Sequence, residues 1–429
     1  MRLIVNQANI TKTMLTLVFM LSYMQYFFEM NLKILLIPIS VLMLLGYTTI
    51  IFSPKYKLRK IFAKTFAPSN SFFVIALPLI PTITSLFCET WNPALYGFLM
   101  IAVLITIRSV LCVVSLEDIL LSYFYASVIF LVIFVSISTS SFIEAILMNK
   151  RFANFSFHPN LLAFLLVGSI PVHLWVYKIR TKNNRWILLL ILINVTIIFY
   201  ASSRGSIVAL LTGLSGISFL SYIKHITNKS RPIKHHHFTK AAVFFILVAI
   251  LINVSLYTPH MIDNFTSYVS EILQLNSPYR GLHSGLSGRI DRWDLVLSDL
   301  QQGFLLFGNG YRTGSANFGF SIDNGYLTLV HELGIFVAIL IVLKYLWVTV
   351  YFTLEYLRSK TMRGSALFFS LVFIMIIFLT NNMVARYLFG LGNPFSLLCL
   401  FFLVLSRKDI KYFKAKLKNK EIKEAFTAV

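Results

Sequence analysis

Apolar runs recur along nearly the whole chain, and short polar or basic stretches separate them. A helix needs about 20 mainly apolar residues to cross about 30 Å of hydrocarbon, and runs of this length predict about twelve transmembrane helices. They lie at 13–29, 34–52, 71–88, 94–113, 120–138, 160–177, 186–200, 205–222, 240–257, 326–351, 365–381 and 387–405. The predicted fold is therefore all-α, a polytopic integral membrane protein.

One long stretch, from Thr258 to Asn324, interrupts the pattern of apolar helices. The predicted divisions are transmembrane helices one to nine in 1–257, a large extracytoplasmic loop in 258–324, helices ten to twelve in 325–406, and a basic cytoplasmic tail in 407–429. Within the loop, the stretch 287–297 predicts a short amphipathic helix, with Arg289 and Trp293 four residues apart on one face. Such a helix is suited to the membrane surface.

Composition supports a membrane protein, because 57% of the residues are hydrophobic and only 13% are charged. The formal net charge of +22 comes from Lys and Arg that cluster after the second, sixth, eighth and tenth predicted helices and in the tail. Basic residues concentrate in cytoplasmic connections, so this alternation predicts cytoplasmic termini and an outer position for the long loop. Membrane topology thus accounts for the charge, and no nucleic-acid partner is expected.

Neither the histidines nor the cysteines of the chain predict a metal or redox centre. The run His235-His236-His237 lies in a basic loop without companion carboxylates or cysteines. The three cysteines have neither the spacing of metal ligands nor that of a disulfide framework. We therefore expect no metal and no cofactor.

Polar residues precede three of the predicted helices on the side assigned as outer. They are Phe157-His158-Pro159-Asn160, Ser202-Ser203-Arg204-Gly205-Ser206 and Asp323-Asn324-Gly325-Tyr326. Helix starts expose unpaired N–H groups, and arginine binds phosphate through a planar fork, so Arg204 is a candidate phosphate ligand. The alternative is that Arg204 caps a short turn or binds lipid headgroups. We expect the three helix starts to converge on one surface.

Other ionisable residues of this region allow two roles each. Asp323 is a candidate general base, which takes a proton from a hydroxyl, and also a candidate N-cap of the tenth helix. His331 and Glu332 fall inside that helix, where an ionisable pair must face the bundle interior or a wet cavity. Arg289 and Arg292 are candidate ligands of either a diphosphate or anionic lipid. Trp293 is a better candidate for an anchor in the membrane interface than for a surface on which a sugar ring stacks.

Five stretches together resemble the bacterial O-antigen ligase and Wzy-type polysaccharide polymerase superfamily. They are His158-Pro159-Asn160-Leu161-Leu162-Ala163, like its pNxxA element; Ser203-Arg204-Gly205, like its SRG element; Ser287-Gly288-Arg289 with Trp293, like its sgR…W element; Phe307-Gly308-Asn309-Gly310, like its lGxG turn; and Asn324 followed after nine residues by Gly334, like the ligase motif H-[NSQ]-x9-G. The resemblance covers roughly 154–407.

This resemblance implies a GT-C-like fold and a glycosyltransferase. The implied reaction joins polyprenyl-diphosphate-linked oligosaccharide repeat units on the outer face of the bacterial cytoplasmic (inner) membrane, by metal-independent inverting transfer. Ligases carry His where this chain has Asp323, and Gly where it has Ala338, so the chain looks more like a capsule or exopolysaccharide polymerase. A ligase-like transfer of a finished glycan and a flippase for lipid-linked oligosaccharides are the alternatives.

The resemblance also implies roles and partners. The expected catalytic residues are Asp323, Arg204, Arg289 and Glu332, and the expected substrate contacts are Arg292, Asn324, His158, Asn160, Arg312, Trp293 and Arg386. The expected partners are an undecaprenyl-diphosphate-linked oligosaccharide and membrane lipid, with a chain-length regulator protein as a further candidate.

Overall fold

A computed structural model describes residues 7–25, 38–46, 63, 72–87, 91–147, 152, 158–179, 184–227, 267, 285–302 and 306–415, and its regular elements in these ranges are all helical. The helices are α1 (Gln7–Met24), α2 (Leu77–Phe87, after a π-helical turn at Phe72–Ala76), α3 (Trp91–Val110), α4 (Leu116–Leu147), α5 (Pro159–Ile179), α6 (Arg185–Tyr200), α7 (Arg204–Thr227), α8 (Gly285–Gln302), α9 (Gly314–Phe318), α10 (Gly325–Leu333), α11 (Ile335–Arg358), α12 (Met362–Asn381) and α13 (Pro394–Leu403). Helical stretches at 38–46 and 407–415 add to them.

Six helices in the described ranges are long and apolar enough to cross a membrane: α3, α4, α5, α7, α11 and α12. Shorter apolar helices occupy Phe72–Phe87, Arg185–Tyr200 and Pro394–Leu403. The prediction of an all-helical fold is therefore confirmed for the described residues, and these six helices indicate a polytopic membrane protein, whereas the count of about twelve spans stays a prediction. The predicted spans at 240–257 and much of 34–52 lie outside the described residues, as does most of 258–284.

The predicted tenth span, 326–351, is wrong as a single helix. Helix α10 ends at Leu333 and α11 begins at Ile335, because Gly334 adopts a left-handed backbone with φ 81°. A Cβ atom at Gly334 would lie 2.2 Å from the carbonyl oxygen of Leu306, so another part of the chain occupies the space beside the break. Hydropathy cannot detect this break, since both flanks are apolar.

The last predicted span, 387–405, starts too early. Helix α13 begins at Pro394, and the side chain of Asn393 caps it by accepting hydrogen bonds from the N–H groups of Phe395 and Ser396. Proline is favoured in the first turn of a helix because it has no N–H to satisfy there. Residues 382–393 therefore form a non-helical connection between α12 and α13.

Helices α5 and α12 form the centre of the bundle and pack against each other. In their most apolar windows 78% and 67% of the residues are buried, against 28% in α7 and 33% in α11. The outer helices consequently expose large apolar side chains such as Val208, Leu211 and Phe219. This distribution suits a bundle whose solvent is hydrocarbon, where apolar surface needs no cover.

Ion pairs gather at one end of the bundle, which we call the Asp409 end. The pairs are Arg108–Asp409 at 2.7 Å, Arg363–Glu117 at 2.6 Å, Lys12–Asp118 at 2.6 Å and Lys414–Glu355 at 2.5 Å. The opposite end holds the starts of α5 and α7 and the end of α12, and we call it the Arg204 end. The three polar helix starts that the sequence predicts are the starts of α5, α7 and α10.

Candidate functional site

A strained turn presents Arg204 at the start of α7. Ser202, just before it, has a left-handed backbone with φ 54°, which is uncommon outside glycine. Its buried Oγ makes no hydrogen bond within the described structure. The next turn is pinned to the end of α12, since the Asn381 side-chain amide donates to the Ser206 hydroxyl over 3.2 Å. Strain and an unsatisfied polar group at one position are typical of functional sites.

A small cleft of about 40 Å³ opens beside this turn. Its lining is Asn160, Ser202, Ser203, Arg204, Gly205, Arg289, Asn381, Val384 and Ala385. Gly205 packs closely on the chain that follows α12, because a Cβ atom there would lie 2.2 Å from the Val384 side chain. The cleft thus brings together Asn160, Arg204 and Arg289, which come from α5, α7 and α8.

Helix α8 carries Arg289 to the cleft. The helix spans Gly285–Gln302 and is longer than the predicted 287–297. Its residues Val296 and Leu300 are buried in a small apolar cluster with Ile322. Arg289 precedes Val296 by seven residues, two turns of one helix face. Packing of α8 on the segment before α10 therefore aims the arginine at the cleft.

Asp323 lies next to this arginine. Its Oδ2 atom is 3.7 Å from Nε of Arg289, and its Oδ1 atom accepts a hydrogen bond of 2.8 Å from Ser321. The N-cap alternative for Asp323 is wrong. Asn324 caps α10 instead, because its side-chain oxygen accepts from the N–H groups of Tyr326 and Leu327. The carboxylate of Asp323 is consequently not engaged by the helix start.

A glycine turn at 306–312 packs on the break between α10 and α11. Gly308 and Gly334 have φ 75° and 81°, and a Cβ atom on Gly308 would lie 2.4 Å from the backbone nitrogen of Gly334. The N–H groups of Asn309 and Gly310 donate to the carbonyl oxygens of His331 and Glu332. The lGxG-like and Nx9G-like stretches therefore meet backbone to backbone.

Glu332, at the end of α10, forms a second polar cluster with Arg312, Arg386 and Tyr96. Burial raises the pKa of the Glu332 carboxyl to about 7, while the Arg312 N–H and the charges of Arg312 and Arg386 oppose that rise. The Arg312 guanidinium lies 5.3 Å from the ring centroid of Tyr96. Arg312 and Arg386 are exposed, and Glu332 is half-buried.

The neighbouring His331 is fully buried and has a structural setting. Its Nε2 atom is 3.0 Å from the Asn309 side-chain nitrogen and 3.5 Å from Asp299 of α8. Burial lowers the pKa of His331, although Asp299 raises it in part. This side chain links α8, α10 and the glycine turn.

The remaining predicted contacts are not among the residues that line the cleft. His158 is exposed, and its carbonyl oxygen accepts from the first turns of α5. Arg292 is exposed with its guanidinium 5.3 Å from the Phe320 ring, and Trp293 is half-buried. Sequence reasoning missed Asn381, Val384 and Ala385. The polar pair Asn381-Asn382, which ends an apolar run, was the available signal.

A scan of the chain against protein-family models finds no match, and a search of curated proteins finds no match either. Function must therefore be argued from the site itself, together with the sequence resemblance described above. Two features matter most: the arginines that share one cleft, and the carboxylate beside them.

Proposed function

We propose that this chain is a membrane polysaccharide polymerase that joins undecaprenyl-diphosphate-linked oligosaccharide repeat units. The observation that supports this most is the placement of Arg204 and Arg289 in one cleft, although α7 and α8 are far apart in the chain. Two guanidinium groups attract a strongly anionic group, and a diphosphate offers oxygens for both forks. The N–H groups at the start of α7 add to this attraction.

In the proposed reaction the arginines hold the diphosphate of the donor. A hydroxyl of the acceptor sugar attacks the anomeric carbon of the donor, and the bond from that carbon to the diphosphate oxygen breaks on the opposite face. The configuration therefore inverts, and the lipid diphosphate leaves with the bonding electron pair. Fixed positive charge at the leaving oxygen stabilises charge that grows in the transition state.

Asp323 is the proposed acceptor of the hydroxyl proton. At 3.7 Å its carboxylate is too far from Nε of Arg289 for a hydrogen bond, so the contact leaves it able to accept a proton. A general base at such a position contributes about 10²- to 10⁴-fold to a rate.

The site is proposed to face the outside of the bacterial cytoplasmic membrane. The described part of the C-terminal segment, 407–415, lies at the Asp409 end and exposes Arg407, Lys408 and Lys411. Basic residues prefer the cytoplasmic side, which puts the Asp409 end inside and the Arg204 end outside. Both termini are then cytoplasmic, and polymerisation takes place on the outer face.

The test is to delete the gene in its host and restore it at matched membrane levels with wild type, Arg204→Lys, Arg289→Lys or Asp323→Asn. Lipid-linked glycans are then separated by size. We expect single repeat units on an outward-facing carrier in the deletion and in all three variants, because lysine keeps the charge but lacks the fork. Arg185→Lys, an exposed change at the start of α6, is the control and should restore polymer.

Two results would overturn the proposal. Accumulation of full-length polymer on the carrier in the deletion strain would identify ligase-like transfer of a finished glycan. Accumulation of single units that still face the cytoplasm would identify a flippase.

A further inference from the structure

Glu332 of the second polar cluster lies near the end of α10, whereas Asp323 precedes the start of that helix. Glu332 is nine positions after Asp323, and from Gly325 to Glu332 the helix rises about 10 Å at 1.5 Å per residue. A general base must come within about 3 Å of the hydroxyl that it deprotonates. If Asp323 acts at the reacting carbon, Glu332 is too far away to share that role, and its cluster needs another explanation.

The backbone around this cluster is held in a strained form. Among the described residues, Ser202 and Arg312 are the non-glycine residues with a left-handed backbone, at φ 54° and 60°. Ser202 borders the arginine cleft, and the turn that carries Arg312 is bonded to the end of α10 through the Gly310 N–H and the Glu332 carbonyl oxygen. Gly310 fixes the turn, because a Cβ atom there would lie 2.2 Å from the Ser85 hydroxyl. Strain that the surrounding contacts maintain is characteristic of binding sites.

The connection 382–393 joins the cluster to the arginine cleft. Val384 and Ala385 line the cleft, and Arg386 follows directly, about 3.8 Å further between Cα atoms. The start of α10 is bonded to the same connection through the Gly325 N–H and the Asn382 carbonyl oxygen. The connection therefore runs directly from the cleft lining to Arg386 of the cluster.

The charges of the cluster indicate what it binds. Arg312 and Arg386 supply two exposed guanidinium groups against the single carboxyl of Glu332. With its pKa near 7, Glu332 is often protonated at neutral pH, so it can donate a hydrogen bond and the excess positive charge increases. Arginine forks pair with carboxylates in a planar, bidentate geometry.

We propose that Arg312, Arg386 and Glu332 form a second glycan subsite, next to the arginine cleft, that binds a carboxylate-bearing sugar. The subsite rests on the proposed polymerase function for its role, and its ligand class is an acidic sugar. Binding energy gained away from the reacting carbon holds a longer chain in place between additions. The subsite thus controls how far the polymer grows.

The direct experiment measures binding to the full-length protein in detergent by calorimetry. The probes are a trimer of galacturonic acid and the neutral trimer obtained by reducing its carboxyl groups. We expect the acidic trimer to bind at least tenfold more tightly to wild type, and this preference to disappear in Arg312→Gln and in Arg386→Gln. Arg358→Gln, an exposed change at the end of α11, should keep the preference. Equal binding of both probes to wild type, or a preference that survives both changes, overturns the subsite.

A second measurement separates this inference from the function on which it rests. Purified wild type is incubated with lipid-linked repeat units that contain an acidic sugar, and the products are sized. In Arg312→Gln the mean chain length should fall by a clearly larger factor than the rate of the first coupling. Equal losses of the two would place Arg312 at the reacting centre and contradict the subsite. Absence of coupling in wild type would contradict the polymerase function, whatever the calorimetry shows.

Discussion

The Nε atom of Arg289 in α8 lies 3.7 Å from the Oδ2 atom of Asp323, which precedes α10. The side chains are 17% and 32% exposed, so both remain accessible to a ligand. The contact couples a cation of the arginine cleft to the carboxylate that we assign to proton transfer. Loss of either charge should therefore affect catalysis more than folding.

Replacing Asp323 by Asn tests this coupling. The amide keeps the size of the side chain but cannot accept the hydroxyl proton, so the coupling rate should fall by about 10²- to 10⁴-fold. Donor binding should change little, because Arg204 and Arg289 are still present. Steady-state kinetics on purified protein separate the two effects. A rise in KM with an unchanged kcat would show instead that Asp323 only positions Arg289.

Replacing Gly334 by Ala tests the packing of the glycine turn on the α10–α11 break. The new Cβ atom would meet the Leu306 carbonyl oxygen at 2.2 Å, in addition to the strain of a positive φ. The variant should lose more than about 3 kcal/mol of stability. Gly319→Ala is a matched control, since Gly319 has φ 69° and nothing within 4 Å, and it should cost only about 1 to 2 kcal/mol. Thermal unfolding in detergent measures both, and equal losses would contradict the close approach.

The buried pair at the opposite end predicts a large stability effect. Arg108 is 1% exposed and binds both carboxylate oxygens of Asp409, at 2.7 and 3.1 Å. Arg108→Ala should cost about 3 to 5 kcal/mol, because it strands a buried charge, and Arg108→Met with Asp409→Leu should recover most of it. The same unfolding assay checks the cycle. A double variant as unstable as the single one would show that the pair itself stabilises the fold.

The Arg108–Asp409 pair also makes the stability of the fold depend on pH under acidic conditions. Hydrogen bonds and the charge of Arg108 hold the pKa of Asp409 below its ordinary value of 3.8, despite burial. A lowered pKa contributes stability above the ordinary value, and that contribution is lost as the pH falls through the folded-state pKa. Wild type should consequently lose stability below about pH 4 more steeply than the Arg108→Met, Asp409→Leu variant.

The raised pKa of Glu332 predicts that stability depends on pH in the opposite direction. Burial raises its pKa from 4.5 to about 7, with Arg312 and Arg386 opposing the rise, and the buried hydroxyls of Tyr96 and Tyr311 also face it. Stability from a raised pKa is complete below the ordinary value and is lost as the pH rises through the folded-state pKa. Between pH 5 and pH 8 the unfolding free energy of wild type should fall by up to about 3 kcal/mol relative to Glu332→Gln. Parallel pH profiles would contradict the raised pKa.

Much of the fold was predictable because hydrophobic runs report directly on bilayer thickness. The helices at 94–113 and 160–177 appear within a few residues as Trp91–Val110 and Pro159–Ile179. The break at Gly334 was not predictable, since it depends on the distant turn at 306–312 and not on the local pattern. The late start of α13 had a local signal in Asn393-Pro394, a capping pair inside an apolar run.

Asn160, Arg204 and Arg289 stand out in the sequence as polar residues beside apolar runs. Their meeting in one cleft depends on how α5, α7 and α8 pack, which the sequence pattern does not report. Asp323 and Glu332 looked like rivals in sequence, and the length of α10 separates them. Asn324 rather than Asp323 caps that helix, and only the hydrogen-bond geometry distinguishes two adjacent candidates.

The most direct test of the central claim is a coupling reaction with purified protein and lipid-linked repeat units, in which glycan length and released undecaprenyl diphosphate are measured together. We predict that wild type releases one lipid diphosphate for each repeat unit added and that Arg204→Lys and Arg289→Lys each slow this by about 10²-fold or more. Wild-type protein that neither lengthens the glycan nor releases lipid diphosphate would contradict the account.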